Sequence, residues 1–202
     1  MKTITLAQLK RGGVAFEKNE GRNSMYRVAT FLLNEWWGRH NDMTDALTVL
    51  LLTWNGAFYR YGLFDHARLE ACLREQWSLI ETFHDREICS LADEDEANIR
   101  KLFSGLLPAL AIGSGKGRGR RSPVAVAKTL HLLAPAFFPL WDDAIAKAYG
   151  CYYSEAPAEA YLRFCRITRG LATSLGGVVS GPKTLLKQID EYNYAKFTQE
   201  WI

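Results

Sequence analysis

A chain of 202 residues with 48% hydrophobic and 12% aromatic content can bury one sizeable core and is too apolar to be disordered throughout. Its 25 Lys and Arg against 22 Asp and Glu leave a net charge of +3, which neither requires nor excludes nucleic acid, so the distribution of charge matters more than the sum. Four cysteines at wide intervals (Cys72, Cys89, Cys151 and Cys165) form no CxxC pair and argue against a metal centre or disulfide framework, and no apolar run is long enough to span a bilayer.

Residues 1–22 are predicted as an arm, with a turn or two of helix from Thr5 to Arg11 before Gly12 and Gly13. The remainder, 23–202, is predicted as one all-α domain of seven to nine helices. The first runs from about Asn23 to Trp37, with Met25, Val28, Ala29, Leu32 and Trp36 on one broad face. Asp42 is placed to cap a second helix from Met43 to about Tyr59, apolar on most sides and therefore central. Asp65 caps a third, reaching about Phe83, and the acidic run Asp93 to Glu96 opens a fourth, where it offsets the helix dipole. Further helices are expected from Asp143 to Tyr149, from about Ser154 to Leu175, and from Gly181-Pro182 onward. Brief strand pairing is conceivable only at Thr3 to Leu6 or Gly177 to Ser180.

The most sharply bounded element lies between. Ser122 suits a helix cap, Pro123 its first position, and Pro135 its stop. Val124, Val126, Ala127, Leu130, Leu133 and Ala134 surround it with apolar surface, so it is the second buried central helix. Lys128 and His131, three apart, share a face; a buried lysine can be a nucleophile and a histidine can shuttle protons. Ahead of this helix lies Gly113-Ser-Gly115-Lys116-Gly-Arg118-Gly-Arg120-Arg121, a mobile basic loop whose glycines would let backbone approach a phosphate while the cations neutralise it. It follows no strand and has no GxxxxGK[ST] spacing, so nucleotide hydrolysis is not indicated. After the helix, Trp141 precedes Asp142, placed to cap the next helix and expected there to keep a low pKa and stay ionised. Trp54, Asn55 and Tyr59 add an aromatic and amide cluster at the end of the other central helix, able with His131 and Trp141 to line a pocket.

Ile112-Gly-Ser-Gly115, the helix from Ser122 to Ala134, a proline-flanked turn and Asp142 together resemble the helix-hairpin-helix DNA glycosylase superfamily over roughly residues 42–150. The resemblance implies DNA as partner through Gly113, Gly115, Lys116, Arg118, Arg120 and Arg121, and N-glycosidic bond hydrolysis on a flipped base. Asp142 would be the catalytic carboxylate. Ser122, twenty positions earlier, would stand where other members carry the catalytic lysine or its replacement. Here Lys128 lies about two turns further in, and a basic insertion follows the Gly-Ser-Gly hairpin. The alternative is a non-enzymatic helical module that binds through the 113–121 loop. On either reading the chain is expected to be soluble and cytoplasmic, without a cofactor.

Overall fold

The computed structural model describes residues 3–177 and 183–202. Among them are eleven α-helices and no strand; the protein is all-α, 69% helical, with nine helices of seven residues or more. The one extended contact is an isolated antiparallel bridge between Phe64 and Ile112. The expected start of the last helix at Gly181-Pro182, and pairing at Val178 to Ser180, fall outside the described residues.

Two helices sit at the centre. α3 (His40–Trp54) buries Met43, Ala46, Leu47, Leu50 and Leu51, and α8 (Pro123–Leu133) buries every residue from Ala125 to Leu133. They pack on each other, with α2 (Asn23–Glu35) against both and α5 (His66–Glu75) against α3. α7 (Asp95–Ala109) covers α8 and carries α10 (Pro157–Ser174) on its far side. The short α4 (Gly56–Tyr59), α6 (Trp77–His84) and α9 (Asp143–Ala148) link these layers.

The capping chemistry explains the boundaries around the centre. Ser122 Oγ accepts the Ala125 amide at 3.1 Å and Asp65 Oδ1 that of Arg68 at 3.1 Å. Asp42, expected as a cap, instead sits inside the first turn of α3, which begins at His40 behind Arg39. The two long helices expected at 43–59 and 65–83 are each divided. Asn55 separates α3 from α4, and Gln76 separates α5 from α6. Gln76 lies over Gly105, where a Cβ would stand 1.9 Å from its amide nitrogen, so the side chain needs the space a glycine leaves. The acidic opening of α7 does more than offset a dipole. Asp95 accepts two 2.7 Å bonds from Arg86, and Glu96 ties α7 to α10 through Arg166.

The turn or two of helix expected from Thr5 to Arg11 runs on through Gly12 and Gly13. α1 (Leu6–Asn19) opens with a reciprocal Thr5–Gln8 capping box and buries Leu9, Gly12 and Phe16 against α11 (Leu185–Asn193). Gly12 makes that contact possible: a Cβ there would lie 2.5 Å from Tyr192 Cα. α11 runs into a π-helical turn, Tyr194–Thr198, which packs on α9 and α1. The two ends of the described chain thus close over one end of the α3–α8 pair.

Candidate functional site

Where the chain ends meet α8 they enclose a cavity of about 290 Å³, just under the usual range of about 300–1,000 Å³ for small-molecule sites. Phe16, Glu20 and Arg22 line it from the N-terminal side, and Asp190, Tyr194 and Thr198 from the C-terminal side. Trp54, Asn55, Lys128, Trp141, Asp142 and Asp143 complete the wall.

Lys128 stands on the dry centre of α8, and its ammonium donates to the Trp54 carbonyl. Burial lowers its pKa to about 8, with Asp142 and Asp190 holding it up and Arg22 pushing it down. Asp142 caps α9: Oδ1 accepts the Ile145 amide at 2.8 Å and Oδ2 the Thr198 hydroxyl at 2.6 Å. The low pKa expected for a capping carboxylate is not what the site produces. Desolvation raises Asp142 above the usual aspartate range; Asp190 adds to this, and the two hydrogen bonds and Lys128 only oppose it.

The cavity has one flat aromatic wall. The Trp54 indole stacks on Tyr26 with centroids 5.5 Å apart and planes at 20°, and its Nε1 donates to the Arg22 carbonyl at 3.0 Å. Trp141 is mostly core. It packs edge-on against Tyr161 at 5.2 Å and shows the cavity only a margin. At the rim Arg22 grips Glu20 with bonds of 2.8 and 2.6 Å, and the Tyr194 hydroxyl joins both. That guanidinium holds Glu20 below the usual glutamate range, despite partial burial.

Three expected site residues lie elsewhere. Tyr59 is buried with its hydroxyl on the Leu110 carbonyl at 2.9 Å, among Phe58 and Phe64. His131 does not face the cavity with Lys128. Its Nδ1 donates to the Phe138 carbonyl at 2.8 Å, and its Nε2 pairs with the Tyr26 hydroxyl at 2.9 Å. Burial lowers its pKa to about 3. Ser122 caps α8 and accepts a 3.2 Å bond from the Asn55 amide, which places it behind the cavity wall.

The basic loop is built differently from a slack, mobile linker. Gly113 N donates to Leu63 O at 2.7 Å, Gly119 N to Ile112 O at 2.7 Å and Arg120 N to Gly117 O at 3.0 Å. The loop lies so close to Gly62 that a Cβ there would stand 2.0 Å from Ser114 O; Gly62 also has φ 147°. The Gly113 and Gly119 amides, and that of Gly117 on Tyr61 O at 3.4 Å, are therefore used internally. Lys116, Arg118, Arg120 and Arg121 are all exposed, and among the described residues none pairs with a carboxylate. Arg60 beside them stacks over the exposed Tyr61 ring at 4.6 Å, and Arg120 over Phe58 at 5.6 Å. The loop ends at Ser122, whose hydrogen-bond partner Asn55 lines the cavity, so one side-chain bond joins the end of the loop to the cavity wall.

Comparison with protein-family models, curated proteins and solved structures gives no match for this chain. Among the described residues no group of His, Cys, Asp and Glu is placed to hold a metal ion, and no helix is long and apolar enough to cross a membrane. Glu20, Arg22, Asp190 and Thr198 were absent from the residues singled out by sequence. The available signal was Asp190 and Glu191 interrupting the apolar face of Leu185, Leu186 and Ile189.

Proposed function

We propose that the protein binds DNA through the 113–121 loop and hydrolyses the N-glycosidic bond of a base turned into the cavity, in the manner of a helix-hairpin-helix glycosylase. The observation that carries this reading is a cavity of about 290 Å³ lined by Lys128, Asp142 and Trp54, whose wall residue Asn55 is bonded to Ser122 at the end of a loop with four exposed cations. Phosphates sit on the cations, and a displaced base stacks on the indole. Lys128, at about 8, is protonated at neutral pH yet close enough to its pKa to give a proton to the departing base nitrogen. Asp142 and Asp190 supply negative charge where the sugar becomes cationic. Lys128 and Asp142 are largely buried there, so their charges are screened less than they would be on the surface.

The test is release of uracil, hypoxanthine or 8-oxoguanine from short duplexes under single-turnover conditions. Wild type is expected to release at least one of them. Asp142→Asn, which keeps a cap but loses the charge, is expected to be at least tenfold slower with unchanged DNA affinity. The rate is expected to fall above about pH 8, as Lys128 loses its proton. A second reading follows from one observation: both oxygens of Asp142 are engaged in structural hydrogen bonds. On that reading the protein is a non-enzymatic module, and Asp142→Asn changes stability alone.

A further inference from the structure

α11 carries more buried charge than a structural helix needs. Lys187, Asp190 and Glu191 are 1%, 7% and 1% exposed, although apolar residues at the same positions would avoid a desolvation cost of several kcal/mol per ion. Lys187 is boxed by rings: its ammonium lies 4.2 Å from the Phe16 centroid, 5.0 Å from Tyr26 and 5.2 Å from Trp54. It sits 3.0 Å from Asp190 Oδ2 and 3.5 Å from Glu191 Oε1, while Glu191 Oε2 accepts from Lys183 at 2.9 Å. Glu191 thus has two lysines, and Asp190 shares one of them.

The four carboxylates lining the cavity differ in what their oxygens already do. Glu20 gives both to Arg22, with Tyr194 on the second. Asp142 gives one to the Ile145 amide and one to Thr198. Asp143 accepts from Lys147 at 2.6 Å and from the Tyr153 hydroxyl at 3.3 Å. Asp190 uses only Oδ2, on Lys187; among the described residues Oδ1 has no hydrogen bond, and it is not among the buried atoms left unpaired. Asp190 is the lining carboxylate with an oxygen to spare for something in the cavity.

We propose, resting on the glycosidic reading, that Asp190 is the general base of the site and that Lys187, caged by Phe16, Tyr26 and Trp54, is the positioning residue that aims it. The water oxygen bonds to the sugar's anomeric carbon while one of its protons passes to Asp190 Oδ1. The carbon–nitrogen bond breaks, its electron pair stays on the base nitrogen, and that nitrogen takes a proton from the Lys128 ammonium. The proton on Asp190 then returns through solvent to the Lys128 amine, so that water and glycoside become free base and sugar hydroxyl with both side chains restored. Asp142 supplies charge and holds α9 without exchanging a proton.

The deciding experiment measures single-turnover release from the same altered duplexes between pH 5 and 9, with DNA affinity by fluorescence anisotropy, for wild type, Asp190→Asn and Asp190→Glu. Asp190→Asn keeps an acceptor for Lys187. It is expected to lose about 10²-fold or more in rate, with affinity within about twofold of wild type. Asp190→Glu keeps the carboxylate but displaces it, and is expected to slow release at least about tenfold while staying faster than the Asn variant; it serves as the folded control if the Asn variant melts early. An Asp190→Asn protein with wild-type rate overturns this role and leaves the glycosidic reading standing, as does Asp190→Glu at full rate. Wild type that releases no base overturns both.

Discussion

Lys128 and His131 lie one helical turn apart on α8 and titrate in the same direction for the stability of the fold, over different pH windows. Burial lowers Lys128 to about 8, so between about pH 8 and 10 the unfolded chain binds a proton that the folded chain has released. Stability from this group therefore rises with pH across that window. Urea unfolding of wild type and Lys128→Met is expected to show wild type gaining on the variant by roughly 1–3 kcal/mol from pH 7 to 10. A pH-independent difference would show that Lys128 is not desolvated. His131, lowered to about 3, stays neutral when folded, and below about pH 6 only the unfolded chain takes its proton. Wild type is expected to lose about 1.4 kcal/mol per pH unit below pH 6 through this group, and His131→Gln to lack that slope, as read by urea midpoints. Such behaviour is not visible in sequence. The spacing of Lys128 and His131 placed them together, but which one faces a cavity depends on Tyr26 and on the Phe138 carbonyl, far away along the chain.

At the scale of elements, what could be read locally was read well. Ser122, Pro123 and Pro135 bound α8 because caps and stops act within a few residues, and the apolar circumference of α3 and α8 marked them as central. The break of 43–59 at Asn55 and the docking of α1 were hidden because they answer to distant partners. Asn55 is drawn to Ser122, and the Gly12 face of α1 exists to meet Tyr192. Gly12→Ala is expected to force α1 off α11 and cost about 1–3 kcal/mol, lowering the melting temperature by roughly 2–10 °C in a thermal scan. An unchanged melting temperature would contradict that contact. Phe16, one turn further along the same helix, lines the cavity, which ties the integrity of α1 to the site. The candidate site was legible in its α8–α9 half, from Lys128 to Asp142, and in Trp54 and Asn55 at the end of α3. Its other half comes from the two ends of the chain, which one-dimensional spacing cannot bring together.

For the whole molecule, a net charge of +3 understates the polarity of its surface. Elsewhere cations such as Arg86 and Arg100 pair with Asp95 and Glu159, while the 113–121 loop keeps its cations without a carboxylate partner among the described residues. If those cations meet phosphates, affinity follows counterion release, with a slope set by the number of contacts. The measurement that tests the proposed DNA-binding role most directly is fluorescence anisotropy of a short labelled duplex titrated with wild type, and with the variant carrying Ala at 116, 118, 120 and 121. With four phosphate contacts, wild-type affinity is expected to drop about 100-fold between 50 and 200 mM salt, and the variant to bind far more weakly with a nearly flat salt dependence. Wild type that fails to bind at low salt, or a variant that binds as well as wild type, would contradict the account.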